Sequence, residues 1–374
     1  MRTKSFCIGL LLSGSLLAHV IQANAQTYTF TDLGTLGGTN SYANAINNAG
    51  QVVGWSYLTG DNEYRATLWN GTTATDLGTL GGGGSMANAI NSSGQVAGYS
   101  YTTSNAAYHA TLWDGTTPTD IGPVGRNSMA YGINDSGQVV GFTQSKFDVS
   151  YYAAQWNGST WTDLSSELNS QFSSSAYGIN NAGQVVGSSY GLNASTTGTS
   201  WSGTTTTNLG TLSGATAINS AGQVAGTIGS GQNVTHAALW NGTTTINLDS
   251  LGGPNAFSHA TAINNAGQVV GWSDIGTYTS EYDNHATLWN GTTAIDLNSF
   301  LSASDVTAGW KLIGANGIND SGEIVGYAYN SISGANHAFL LAAVPEPETY
   351  AMMLAGLGLL GFTARHRSIR KRLS

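Results

Sequence analysis

The stretch "AINNAGQVVGWS", Ala45 to Ser56, returns six more times with light edits. Aligned on the glycine that precedes the Gln-Val step, the copies place Gly50, Gly94, Gly137, Gly183, Gly222, Gly267 and Gly322 at intervals of 44, 43, 46, 39, 45 and 55 residues. Such a period belongs to propeller blades or helical arrays, and no helical periodicity runs through these segments. Each copy reads as four short strands, a to d, which in the first are Ala43–Asn47, Gln51–Ser56, Arg65–Trp69 and Thr72–Gly78. Between a and b, Asn47 and Gly50 keep their places in every copy; Asn bonds its own turn backbone and Gly accepts positive φ, so a tight hairpin follows. The c–d connection carries Asn70-Gly71, Asn157-Gly158, Asn241-Gly242 and Asn290-Gly291, with Asp114-Gly115 and Ser202-Gly203 as variants. This pair predicts a type I′ turn with positive φ at both residues.

The seventh copy stops at strand c, "HAFLL" from His337 to Leu341. Its missing strand d stands at the other terminus, where "YTFTDLGTLGG" (Tyr28–Gly38) matches "TTATDLGTLGG" (Thr72–Gly82) with no a, b or c before it. Splitting one repeat between the two ends serves a closed ring and gives nothing to an open solenoid. The expected fold is all-β, a seven-bladed β-propeller of four-stranded antiparallel blades closed by an N-terminal strand, with a hydrophobic helix at the C-terminus. A β-helix, the main rival, has shorter coils and needs no exchange between its ends.

The units "AINNAGQVVGWS", "HATLWNGTTAIDLNSF" and "HAFLLA" resemble the extracellular HAF-repeat family, named for the triplet found here at His337-Ala338-Phe339. The similarity spans Asp32 to Leu341. It implies export and a repeat fold, and implies no established reaction.

Both ends read as targeting segments. Arg2 and Lys4 precede an apolar run from Phe6 to Val20, and Ala23-Asn24-Ala25 offers the small residues of a signal-peptidase site, so cleavage is expected between Ala25 and Gln26. Cys7, the single cysteine, lies inside that segment and leaves the mature chain without thiol or disulfide. The tail contains Pro345-Glu346-Pro347, an apolar segment from Tyr350 to Ala364, and a basic cluster from Arg365 to Arg372. As a helix the segment would span about 22 Å against a hydrocarbon core of about 30 Å, with the basic cluster held in the cytoplasm. These three parts are similar to the PEP-CTERM signal of Gram-negative bacteria that make exopolysaccharide. The resemblance implies exosortase as processing partner, a transient inner-membrane stay, and delivery to the surface or matrix. The organisation expected is a signal peptide at 1–25, a repeat domain at 26–343 and a sorting signal at 344–374.

Between Gln26 and Val344 there are 18 acidic residues and four basic ones (Arg65, Arg126, Lys146, Lys311), a net charge of −14. Such a surface repels phosphate backbones, and no nucleic-acid partner is expected. His109, His236, His285 and His337 occupy one slot, four residues before the Trp position closing strand c or its Leu341 equivalent. One histidine per blade cannot converge on a single ion, so a repeat-structural role is expected and no metal site. The Trp residues 69, 113, 156, 201, 240 and 289 read as packing between blades. Uniform a–b and c–d turns share one face, which leaves the variable b–c and d–a loops on the other. There Tyr57, Tyr64, Tyr278 and Tyr282 stand among Asp61, Glu63, Asp274, Glu281 and Asp283, aromatic faces with carboxylates that suit sugar rings or a Ca²⁺-bridged ligand. No cofactor is otherwise expected. Gly-x-Ser-x-Gly, His-Glu-x-x-His and phosphate-loop motifs are missing, which favours a scaffold and binding module. An exported glycosidase using two loop carboxylates is the alternative.

Overall fold

The computed structural model describes residues 27–146, 150–165, 173–190, 196–229, 234–276 and 283–344. The described chain is all-β and propeller-like. Five sheets are four-stranded and antiparallel, and a sixth has eight strands: two four-stranded repeats, at 37–76 and 81–120, joined by one parallel residue pair, Tyr64 with Gly84. In every repeat the order is a-b-c-d. In the last sheet Trp310–Ile318, Ile324–Asn330 and Ala335–Val344 supply a, b and c, and the N-terminal Thr27–Asp32 lies beside Ala335–Val344 as d. The shared repeat read from the two ends is thus built as one sheet. The predicted C-terminal helix, the signal peptide and the Ala25–Gln26 cleavage site lie outside the described residues.

Strand a begins earlier than the sequence suggested, Gly37–Ile46 in the first repeat, because Gly37 still pairs with Leu58. It bulges between Ala43 and Ala45, and the bulge drives the backbone of a into b. A Cβ on Gly54 would lie 1.9 Å from the Tyr42 carbonyl oxygen, and the equivalent strand-b glycines of the other repeats meet strand a at 1.9–2.1 Å. That contact, more than any turn, demands the Gly of "VVGW". At the a–b hairpin the Asn47 N–H donates to the Gln51 carbonyl and the Gly50 N–H to the Asn47 carbonyl, with Gly50 at φ 78°. The c–d turn departs from the predicted type. Asn70 is the last strand residue, paired with Thr73, and Gly71 alone has positive φ (59°), so the two central residues are Gly71 and Thr72 in the arrangement of a type II′ turn. Glycine is required at the first central position there, and Asn is one residue too early.

Seven apolar clusters hold the sheets together, each drawn from two consecutive repeats. Trp113 packs with Val53, Ala66 and Leu77 of the preceding repeat, Trp156 with Ala97, Ala110 and Ile121, and Trp201 with Val140, Ala153 and Leu164. Trp69 does the same across the two ends of the chain, against Leu33, Val325 and Ala338. These indoles are at most 2% exposed, and truncating one would cost about 3–5 kcal/mol. Trp240, only partly buried, still packs at this position against the cluster that holds Val186, Leu209 and Ala238. The insertion that lengthens the last interval, a 3-10 turn at Leu297–Phe300 and a short helix at Ala303–Thr307 capped by Ser302 and Asp305, packs Leu297, Phe300 and Leu301 into the cluster between the sixth and seventh repeats. Phe300 lies 4.8 Å from the ring of Tyr28, whose buried phenol is pushed up to about 12.

The histidine slot proves structural in a way the spacing of four to Trp did not disclose. Nδ1 of His109, His285 and His337 bonds Asp120, Asp296 and Asp32 at 2.8, 2.6 and 2.9 Å, and Arg65 stands 3.8 Å from Asp76 in the same arrangement. The partner lies eleven residues ahead on strand d, except for His337, whose Asp32 comes from the opposite end of the chain.

Candidate functional site

The two faces of the ring differ in kind. On the turn face, the Asn that opens each a–b turn is 3–6% exposed and fully engaged. Its side-chain oxygen accepts N–H groups of its own turn, while its amide donates to the carbonyl of the corresponding Asn one repeat on. The links 47→91, 91→134, 134→180, 180→219, 219→264, 264→319 and 319→47 measure 3.0–3.2 Å and form a closed cycle. The next position adds a second ring: Asn48, Asp135, Asn181, Asn265 and Asp320 each accept an N–H from the preceding repeat, and the cycle lapses only where Ser92 and Ser220 offer no such acceptor. The Ser92 N–H and then the Asn181 amide hold the Asp135 carboxyl below the usual carboxylate range. Burial alone would raise Asp320; the Asn265 N–H and the Asn48 amide outweigh it and lower it. The cavity of about 220 Å³ at this end of the axis is lined by these asparagines and by Ile46 with its six counterparts. Its polar groups are consumed by the fold.

Towards the b–c loops the repeat breaks. Tyr42 stacks on Trp55 (centroids 4.5 Å apart) and meets Tyr327 of the last repeat at 5.2 Å. Trp55 lies 5.5–5.6 Å from Tyr57 and Tyr64, and the Tyr64 hydroxyl bonds that of Tyr99 at 3.2 Å. From Tyr99 the contacts pass to Tyr101 and Tyr108, and beyond the next seam Tyr151 leads to Phe142 (4.8 Å), Tyr131 (5.9 Å) and Tyr177 (5.1 Å). Burial first, and then Tyr151, pushes the Tyr108 phenol up. Burial likewise raises Tyr64, Tyr99 and Tyr131, so these hydroxyls stay protonated donors at neutral pH. The result is an aromatic arc whose members come from the seventh, first, second, third and fourth repeats.

Tyr131 and Tyr177 occupy a strand-a position that elsewhere bridges repeats. Asn44, Asn88, Thr216, Thr261 and Asn316 there donate to a carbonyl of the next repeat at 2.6–2.8 Å. Two positions have exchanged that bond for a phenol ring, a change the fold does not need.

The predicted loop residues are placed as follows. Tyr57 and Tyr64 belong to the arc. Asp61 is exposed and accepts from the Thr39 N–H and hydroxyl at 2.8 and 2.9 Å, and Glu63 pairs with Arg65 at 2.5 Å. Asp274, read as a loop residue, is the last residue of strand Val269–Asp274 and is buried; burial first and then the Asp283 charge raise its carboxyl. Tyr278, Glu281 and Tyr282 lie outside the described residues. Among the described residues no group of three or more His, Cys, Asp or Glu side chains is arranged to hold a metal ion.

Two cavities open along the arc. One, of about 170 Å³, is walled by Tyr151, Tyr177 and Tyr190 and floored by Ser173, Ser174, Ser175, Ser188 and Ser189. The other, of about 420 Å³, is lined by His109, Arg126, Asn127 and Gln144. Sequence reading missed both; the signal for the first was "VVGSSY", which puts Ser188 where the third copy carries Phe142.

The chain's far end settles its destination. Residues 343–368 match the PEP-CTERM protein-sorting motif. The protein is accordingly an exported, exosortase-processed chain sorted to the cell surface of a Gram-negative bacterium. The match begins in the last two residues of strand Ala335–Val344 and contains Pro345, Glu346 and Pro347, which lie outside the described residues. Among the described residues no helix is long and apolar enough to cross a membrane; the segment Tyr350–Ala364 is not among them. No curated protein is significantly similar to the chain in sequence. Among solved structures it is similar to TolB from Acinetobacter baumannii (11% identity, TM-score 0.42, covering 82% of this chain). It spans 64% of that chain, less than two thirds of its length. It is also similar to a mutant Aleuria aurantia lectin in complex with alpha-methyl-L-fucoside (13%, 0.39, 75% of this chain and 99% of that one). Trypanosoma rangeli sialidase is a third (8%, 0.41, 85% and 59%). At these scores the likenesses assign neither ligand nor activity.

Proposed function

We propose that this chain is a seven-bladed propeller of HAF-repeat type that serves, once sorted, as a non-catalytic scaffold and binding module for the polysaccharide around the cell. The observation that carries this reading is the aromatic arc. A ring whose opposite face is uniform and self-satisfied holds, on this face alone, a run of Tyr, Trp and Phe that breaks the repeat. Phenyl and indole faces match the C–H faces of pyranose rings, and phenol hydroxyls supply the directional bonds that sugar hydroxyls need. The charge of −14 selects against anionic polymers, so the ligand class is a neutral glycan. Asp61 and Glu63 are committed to Thr39 and Arg65, which supports binding over the glycosidase alternative. The signal peptide at 1–25 starts export, and the tail from 344 onward delivers the domain through a transient stay in the inner membrane.

Replacing Pro345-Glu346-Pro347 with three alanines tests the sorting half. The variant is expected to stay full-length in the inner membrane while the wild type is shortened and recovered at the surface. Equal mass and location for both would leave a plain anchor as the better account.

A further inference from the structure

We infer that the cavity between the third and fourth repeats is the primary subsite of the face, a socket for one neutral pyranose ring, and this deepens the binding reading above. Strand b carries a bulky aromatic at one position of the first, second, third, sixth and seventh repeats: Trp55, Tyr99, Phe142, Trp272 and Tyr327, opposite Tyr42, Met86, Met129, His259 and Gly314. In the fourth repeat that pair is Ser188 opposite Ser175, and in the fifth Thr227 opposite Gly214. The aromatic wall therefore has a gap, and the gap is the cavity of about 170 Å³.

Its chemistry is specific. Tyr151 and Tyr190, 37% and 46% exposed, are the only aromatic side chains among the described residues that are more than a third exposed, and both line it. Tyr177 closes the inner side. Ser173, Ser174 and Ser189 are bonded within the fold, to the Tyr151 N–H, the Ala153 N–H and the Thr199 hydroxyl. The hydroxyls of Ser175 and Ser188 have no side-chain partner among the described residues. Two uncommitted hydroxyls between exposed phenol rings, with no charged side chain among the described lining residues, suit a hydroxylated ring that has an apolar face.

The test uses the purified full chain and saturation-transfer NMR with four probes: the methyl glycosides of β-glucopyranose, β-galactopyranose, α-mannopyranose and N-acetyl-β-glucosamine. Ser188→Tyr restores the residue type that other repeats accommodate at this position and fills the gap. Tyr190→Ala removes an exposed wall and should leave the fold intact. At least one probe is expected to bind the wild type, and each variant should weaken it by about tenfold or more with thermal melting nearly unchanged. Should Ser188→Tyr fail to fold, Tyr190→Ala decides. Undiminished binding in the folded variants, or no binding of any probe to the wild type, would overturn the subsite. Retardation of the wild type in a native gel containing the producing organism's exopolysaccharide separates the two levels. Retardation without a probe signal removes the subsite and leaves the binding face, whereas loss of both removes the face as well.

Discussion

The turn face and the loop face are built on the same strands, and they answer different demands. On the turn face each repeat donates one amide to the next and accepts one from the preceding repeat, so a change in any copy is felt by its neighbours. On the loop face the aromatic residues meet across repeats as rings and through the Tyr64–Tyr99 hydroxyl bond, and the fourth and fifth repeats lack the strand-b aromatic while keeping the same sheets. Uniformity marks the part that closes the ring. Departure from uniformity marks the part free to acquire a ligand.

The largest effect that would sharpen this contrast comes from deleting Tyr28–Leu33. It strips strand d from the last sheet, removes Leu33 from the cluster with Trp69 and leaves His337 without Asp32. Loss of about 5 kcal/mol or more is expected, with aggregation through the bared edge of Ala335–Val344. Melting equal to that of a control trimmed in the Gly60–Asn62 loop would break the closure account. A smaller effect is expected from Asn134→Ala on the turn face. That change removes two bonds accepted by Oδ1, from Ser136 and Gln138, and two donated by the amide, to Gln138 and Asn180. At about 1 kcal/mol for each buried bond the loss is about 2–4 kcal/mol, read as a lower denaturant midpoint. By contrast Tyr101→Ala, at the rim of the arc, should shift the midpoint by less than about 1 kcal/mol. A Tyr101 cost equal to that of Asn134 would mean that the arc is part of the ring's framework.

How much of this was legible in the sequence follows from which interactions are local. The strands, the seven-fold wording and the strand shared between the two ends were readable because each rests on turn chemistry and alternation within some forty residues. The c–d turn type was misread because Asn-Gly fits two hairpin registers, and pairing of Asn70 with Thr73 decides between them only in three dimensions. The Asn cycle was half visible. Conservation of Asn47 within the chain was plain, but the amide that reaches the next repeat cannot be told from one that serves its own turn. His109 and Asp120, eleven residues apart, could have been found by asking what stays opposite His on strand d. The sequence points to acidic loops as the candidate site, whereas the aromatic residues that the register gathers stand on the strands beside them. The arc draws single residues from positions dozens of residues apart, and only the register gathers them.

The central claim is that the aromatic face, and not the turn face, holds glycan. Native electrophoresis of the full chain through gels with and without the producing organism's exopolysaccharide tests it most directly, comparing wild type, Tyr64→Ala/Tyr101→Ala on one face and Asn48→Ala/Ser92→Ala on the other. The account predicts that wild type and the turn-face variant are retarded alike and that the aromatic-face variant is retarded clearly less than either. Equal retardation of all three, or free migration of the wild type, would contradict it.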